Sequence, residues 1–173
     1  SRWGRTDEAV LDEGISSIRS EAEDMQQLIE KLLFLARADQ QRQVLHKENM
    51  ELSELVEDVM RKMKLVTKTH TVDLLENEEG VICADQVTMR QMMRIFLENS
   101  TKYTPAGGHI TARSCRTPDG ASMQLELADD GIGIAKEDQQ KVFDRFYRVD
   151  ASRTKAQGGV SGTGLGLSIA SWI

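Results

Sequence analysis

Four short stretches of this chain combine residue types that could hold a phosphorylated ligand. In FLENSTKYTPAGG, at 96–108, Asn99, Lys102 and Tyr103 stand at i, i+3 and i+4, so a helix puts them on one face. An amide oxygen, an ammonium and an aromatic ring together suit a ligand built of metal ion, phosphate and flat base. The same trio also fits a solvated helix end. Mg2+ keeps waters and phosphate oxygens in its shell, so Asn99 alone can suffice as the protein ligand. In ADDGIGIA, at 128–135, an apolar strand ends in Asp129-Asp130. Asp129 can accept a hydrogen bond from the amino group of adenine, Gly131 and Gly133 let the backbone approach a ring, and Ile134 can line an apolar slot. A plain Asp-Gly turn is the competing reading. VFDRFYR, at 142–148, brings Phe143, Phe146 and Tyr147 together in a chain with only two Trp, two Tyr and four Phe. Phe143 and Phe146 are expected to plug the core, whereas the guanidinium of Arg148 suits phosphate oxygens.

The fourth stretch is GTGLGL, at 162–167. A dinucleotide-binding loop needs Gly-x-Gly-x-x-Gly after the first strand of a βαβ unit and an acidic residue about 20 positions on. Here Gly162, Gly164 and Gly166 alternate, a loop precedes them, and the chain ends before the position of that acidic residue. A phosphate loop of the Gly-Lys-Ser/Thr type is absent. What remains is a glycine hinge feeding a helix, predicted to begin near Gly164, whose free N–H groups can bind phosphate.

The elements around these stretches fall into two regions, 1–43 and 44–173. In the first, Leu11, Ile15, Ile18, Ala22, Met25, Ile29, Leu32 and Ala36 keep a strict seven-residue repeat, the seam of a helical bundle. The repeat spans roughly 40 Å of helix at about 1.5 Å per residue. Val10, Leu28, Leu33 and Leu35 widen the stripe. Such a face needs a helical partner, in another segment or another copy of the chain; a long surface helix packed on its own domain is the plainer alternative. The polar run 38–43 reads as a linker.

The texture beyond it is mixed. The pattern predicts a short strand at 44–50 and a helix from Ser53, its cap, to about Lys68, with Leu55, Val56, Val59, Met60 and Met63 inward. Strands at 71–75 and 81–84 flank a Glu78-Glu79-Gly80 turn. Asp85 is predicted to cap a helix running to about Lys102. A hairpin follows at 110–117 and 122–128, about Pro118-Asp119-Gly120. A short helix is predicted at 137–146, a mobile loop at 149–162 and a last helix to Ile173.

The net charge of −6 argues against nucleic acid as a partner. Cys83 and Cys115, isolated from one another, point to a reducing compartment and no metal site, each filling a buried or half-buried position. No run reaches the ~18 apolar residues that span a bilayer. The chain begins Ser1-Arg2-Trp3, without Met and without an apolar leader, and reads as a piece of something longer.

In this order, the four stretches resemble the N, G1, F and G2 boxes of the ATP-binding domain of sensor histidine kinases, at Asn99–Thr104, Asp129–Ile134, Val142–Arg148 and Gly162–Leu167. AEDMQQLIEKLLFLARAD, at 22–39, is similar to the second helix of that family's dimerisation and histidine-phosphotransfer domain. The resemblance implies an α+β chain: a two-layer α/β sandwich of the Bergerat (GHKL) type, preceded by a long helix from a helical hairpin. It implies ATP and Mg2+ as cofactors, with Asn99 binding Mg2+, Lys102 a phosphate, Tyr103 packing near the nucleotide and Asp129 reading adenine. Gly131, Gly133, Gly162, Gly164 and Gly166 would shape the pocket and lid, and Arg148 would face the γ-phosphate. Tyr147, Thr163, Leu165 and Leu167 fall in the same boxes and join the nucleotide-binding set. The implied reaction transfers the γ-phosphate to a histidine, for relay to a response regulator, in a homodimer formed through the heptad helix. The implied parent is membrane-anchored with this part in the cytoplasm.

The chain departs from that family's pattern at four points. The acceptor histidine is absent; Arg116-Thr117-Pro118 imitates the sequence around it, yet Arg113 stands where the histidine would, and His46, His70 and His109 read as ordinary histidines. Ile95 stands where a second Asn is usual. The chain ends before the family's final strands. Ser100 replaces the usual Ala. Two other readings stay open: an ATPase of the same superfamily, such as DNA gyrase or mismatch-repair proteins, which carry Glu at the Ile95 position, and a non-catalytic nucleotide-binding or dimerisation module.

Overall fold

The computed structural model describes residues 4–40, 43–149 and 162–173, the side chains of 4–9 excepted. It divides the chain into two compact units, 1–43 and 44–173. The predicted mobile loop, apart from Val149 and Gly162, lies outside the described residues.

The first unit is one helix, α1 (Gly4–Asp39), 36 residues and so about 54 Å long. It exceeds the heptad region because the helix continues upstream of Leu11, and it takes in the first two residues of the predicted linker. Leu11, Ile15, Ile18, Met25, Ile29 and Leu32 are exposed along it.

The second unit is a two-layer sandwich. Its elements among the described residues are β1 (Glu48–Glu51), α2 (Leu52–Val66), β2 (Thr71–Asn77), β3 (Val81–Ala84), α3 (Gln86–Tyr103), β4 (His109–Arg116), β5 (Met123–Asp129), a 3-10 turn at Lys141–Phe143, and α4 (Gly166–Trp172). One sheet runs β2-β4-β5, with β2 parallel and β5 antiparallel to β4; β1 and β3 form a separate antiparallel ribbon. A parallel pair needs a crossover, and β3 with α3 supplies it. Helices α2 and α3 cover one face of the sheet. Leu55, Val56 and Met60 of α2 and Met93 and Leu97 of α3 close over Val72 of β2 and Ile110 and Ala112 of β4. On β4 the inward residues Ile110, Ala112 and Ser114 alternate with more exposed neighbours, the period-2 pattern of a strand with one buried face.

Asp85 caps α3 as its sequence implies, its carboxylate accepting from the N–H groups of Val87 and Thr88 at 3.0 Å. It also accepts from His46 N at 2.8 Å, fixing the segment before β1. These backbone donors, Thr88 first, hold its carboxyl below the usual carboxylate range. The predicted hairpin is present as β4–β5.

Three expectations are corrected. Ser53 does not cap α2: the cap position is Glu51, two residues earlier, and the Ser53 hydroxyl donates to Glu51 Oε1 at 3.0 Å. Strands β2 and β3, on either side of the Glu78-Glu79-Gly80 turn, belong to different sheets. Leu52 N donates to the Gly80 carbonyl at 3.0 Å and the Gly80 N–H donates to the Glu51 carboxylate, which draws β3 to β1. The helix predicted at 137–146 is a run of turns with the one 3-10 turn, ended where Phe146 takes a φ of 63° that no helix accommodates. Cys83 is exposed rather than buried; Cys115 is half-buried, and both are free.

Candidate functional site

The C-terminal end of α3 carries the first stretch, and the second and fourth come to it. Asn99 and Lys102 are half-buried and Tyr103 is exposed, and the Lys102 ammonium stands 5.2 Å from the Tyr103 ring centroid. The last turn closes with Thr104 N donating to the Ser100 carbonyl at 2.9 Å.

Strand β5 ends against this turn. Asp129 and Asp130 are adjacent, so their side chains diverge, and the structure gives them different work. Asp130 turns to the start of β4, accepting from His109 N at 2.7 Å and contacting its ring Nδ1 at 3.0 Å. The His109 backbone donor is the main reason its carboxyl is held below the usual range. Asp129 turns to α3. Its Oδ2 accepts from the Ser100 hydroxyl at 2.8 Å and its Oδ1 from Gly131 N at 3.0 Å. Next, Ile132 N donates to the Tyr103 carbonyl at 3.1 Å. A Cβ on Gly131 would stand 2.7 Å from both Asp129 Oδ1 and the Tyr103 carbonyl oxygen, and 3.0 Å from Thr104 Oγ1. Glycine is required there by space. The Thr104 hydroxyl, beside it and buried, has no hydrogen-bond partner among the described residues. Gly133 differs: its φ is 69° but its surroundings are open.

The glycine stretch reaches α3 at two points. A Cβ on Gly162 would meet Lys102 Nζ at 2.5 Å, so the ammonium lies against this backbone. Gly166, the first residue of α4, sits over Ile95, whose Cγ2 is 3.3 Å from where its Cβ would be. Ile95 is buried; the position read as a departure is a packing contact between α3 and α4. Gly164, with a φ of 70°, has the Phe146 backbone 2.8 Å from its missing Cβ, and its carbonyl accepts from Phe146 N at 2.9 Å. That links the third stretch to the fourth.

Asn99, Lys102, Tyr103, Asp129, Gly131 and Gly162 therefore lie on or against one helix end; Gly166 lies two turns back along α3, against Ile95, and Gly164 meets Phe146. Other predicted residues do not join them. The Tyr147 hydroxyl donates to Asp138 Oδ1 at 2.6 Å. Arg148 is exposed, at the edge of the described residues. Ile134 and Thr163 are exposed, Leu167 is half-buried, and the side chain of Leu165 is fully buried in the interior. Phe143 and Phe146 are 41% and 61% exposed, so they do not plug the core. Sequence reasoning missed the roles of Ser100 and Thr104. The available signal was a hydroxyl at 100 and another four residues on, both on the turn that carries Asn99 and Tyr103.

The sequence model of the family described as "Histidine kinase-, DNA gyrase B-, and HSP90-like ATPase" matches residues 84–173. The chain belongs to this family. It is 34% identical over 178 residues to the signal transduction histidine-protein kinase ArlS of Staphylococcus haemolyticus, covering 99% of this chain and 37% of that protein. It is 36% identical over 175 residues to the sensor histidine kinase YkoH of Bacillus subtilis, covering 99% and 36%. The chain thus spans little more than a third of these relatives. Among solved structures, the Acinetobacter baumannii histidine kinase AdeS superposes with a TM-score of 0.71 at 22% identity, covering 91% of this chain and 70% of that one. Full-length ShkA in complex with AMPPNP superposes with a TM-score of 0.73 at 22% identity, covering 91% and 32%. These two likenesses establish the fold. No helix among the described residues is long and apolar enough to cross a membrane.

Proposed function

We propose that residues 44–173 bind ATP with Mg2+ and serve as the kinase core of a two-component sensor histidine kinase, passing the γ-phosphate to a histidine outside this chain. The observation that carries this reading is the junction at the end of α3. An exposed acceptor, Asp129, is fixed on one side of it, and the Lys102 ammonium lies against Gly162 on the other.

The residues fit the ligand. Adenine offers an amino donor and needs a fixed acceptor at a backbone close enough for its ring; Asp129 beside the Cβ-free Gly131 supplies both. A polyphosphate needs a cation and close-approaching backbone, which Lys102 and Gly162 combine. Asn99, one turn before Tyr103, offers an amide oxygen for Mg2+. Bound ATP and its metal would supply the transferable phosphoryl group and most of the charge neutralisation. The chain's own task would be positioning: Asp129 orients the base, Lys102 holds a phosphate, and the glycine backbone closes over it. The four boxes and the relatives named as histidine kinases support the acceptor assignment, and a response regulator would be the next partner. The exposed apolar stripe of α1 supports residues 1–43 as a helix of the dimerisation and phosphotransfer domain, pairing in a homodimer. Within a longer parent, this portion would be cytoplasmic.

The superfamily ATPase reading is weaker because Ile95 is buried and apolar, with no carboxylate to activate water. The test is calorimetric titration of ATP, ADP and GTP, with and without Mg2+, on the parent and Asn99→Ala, followed by transfer to a separate histidine-bearing helix. Adenine-selective binding, with a Mg2+ dependence lost in Asn99→Ala, is expected. Absence of nucleotide binding, or an Asn99→Ala variant that binds Mg-ATP as the parent does, would overturn the reading.

A further inference from the structure

We infer that Ser100 is a positioning residue for base selectivity: it locks the Asp129 carboxylate in the orientation that accepts the amino group of adenine. The inference rests on the nucleotide reading above.

Ser100 is buried on the last turn of α3. A helical Ser can turn its hydroxyl back to the carbonyl four residues earlier. Here it reaches across to β5, donating to Asp129 Oδ2 at 2.8 Å. The other carboxylate oxygen accepts from Gly131 N at 3.0 Å. With each oxygen held by one donor, rotation of the carboxylate breaks both bonds. An ionised carboxylate has about four acceptor sites, so about two remain, and Asp129 is exposed enough to offer them. A fixed acceptor binds a donor without first losing rotational freedom, the general gain from preorganisation. An alanine at 100 would leave Oδ2 without this protein donor. The carboxylate could then rotate about the remaining bond from Gly131. The effect should fall on the 6-position of the purine and spare the sugar and phosphates.

That localisation permits a test in which ligand and protein are both changed. ADP and the purine riboside diphosphate lacking the 6-amino group would be titrated calorimetrically into the full chain, as parent, Ser100→Ala and Ser100→Thr. Ser100→Cys would serve as a volume-matched variant with a much weaker donor. Thermal unfolding would confirm that each variant is folded. The parent is expected to prefer ADP by about tenfold, corresponding to ~1.4 kcal/mol. Ser100→Ala and Ser100→Cys should reduce that preference about fivefold, through weaker ADP binding, with the amino-less nucleotide changing less than twofold. Ser100→Thr, which keeps the hydroxyl, should retain the preference. Equal weakening of both ligands in folded Ser100→Ala and Ser100→Cys would assign Ser100 a merely structural part and overturn the inference, as would an undiminished preference. A parent that binds both ligands equally would remove the adenine role of Asp129, and a parent that binds neither would remove the nucleotide reading itself. Either result also overturns the inference, distinguishably from its failing alone.

Discussion

Gly131 sits at a crowded point of the candidate site, against backbone, and adding one methyl group there has a calculable effect. A Cβ would stand 2.7 Å from the Tyr103 carbonyl oxygen and from Asp129 Oδ1. The first is backbone in the last turn of α3, and Thr104 behind it is buried, so neither can recede. The turn itself must move. Overpacking of this kind costs about 1–3 kcal/mol. Moving the turn also strains the Gly131 N bond to Asp129 and the Ile132 N bond to the Tyr103 carbonyl, each contributing about 1 kcal/mol net. Gly131 does not have a positive φ, so Ala gains roughly 0.4–1 kcal/mol by restricting the unfolded chain. The balance is a loss of about 3 kcal/mol, or roughly 12 °C in Tm for a unit of this size. ADP affinity should fall at least tenfold because Asp129 moves with the turn. Gly133→Ala is the internal control. Its φ of 69° makes Ala strained by about 1–2 kcal/mol, but nothing of the protein stands within 4 Å, so the turn of α3 and Asp129 should keep their places. Calorimetric melting and ADP titration of both variants would check this. A Gly131→Ala variant within 0.5 kcal/mol of the parent and with unchanged ADP affinity would refute the packing argument.

Asp85→Ala should cost about 1–2 kcal/mol in urea unfolding, since it removes the cap of α3 and the acceptor for His46 N together. Asp58 is held down to about 2 from its usual value of 3.8, first by the hydrogen bond from Lys62 and then by Arg90. A lowered folded-state pKa means stability that is present above about pH 4 and lost as pH falls toward 2. The difference in urea midpoint between the parent and Asp58→Asn should therefore be full at pH 6 and close near pH 2. Ile95→Asn should destabilise by about 2–4 kcal/mol, measured by thermal unfolding, because it places an amide in the buried contact under Gly166.

The parts of the fold legible in the sequence were those decided locally. Asp85 before an apolar period of 3.6 marked the start of α3, and Pro118-Asp119-Gly120 between two alternating runs marked β4 and β5. The choice between pairing β2 with β3 or with β4 is made by tertiary contacts. Leu52 and Glu51 capture the backbone of Gly80, and no local pattern at 78–80 announces a carboxylate 29 residues away. The helix predicted at 137–146 failed for a similar reason: Phe146 is held in a left-handed conformation by Gly164, from the next stretch. Within the site, Asn99, Lys102, Asp129 and the glycines were visible because their chemistry is tied to residue type. Ser100 was not, because its part depends on how near β5 ends to α3, and neither segment carries that distance.

The bonds joining the end of α3 to the loop after β5 also couple their opening. The amides of Gly131 and Ile132 belong to a surface turn, where exchange with solvent is ordinarily fast. Here they donate to Asp129 and to the last turn of a helix. Releasing the Ile132 N–H from the Tyr103 carbonyl takes a local opening that separates the loop from α3, and that opening also exposes the crowded space around Gly131. Native-state hydrogen exchange should therefore report residues 131–132 and the Thr104 amide as one cooperative unit, with the loop inheriting the protection of the helix end rather than that of a turn.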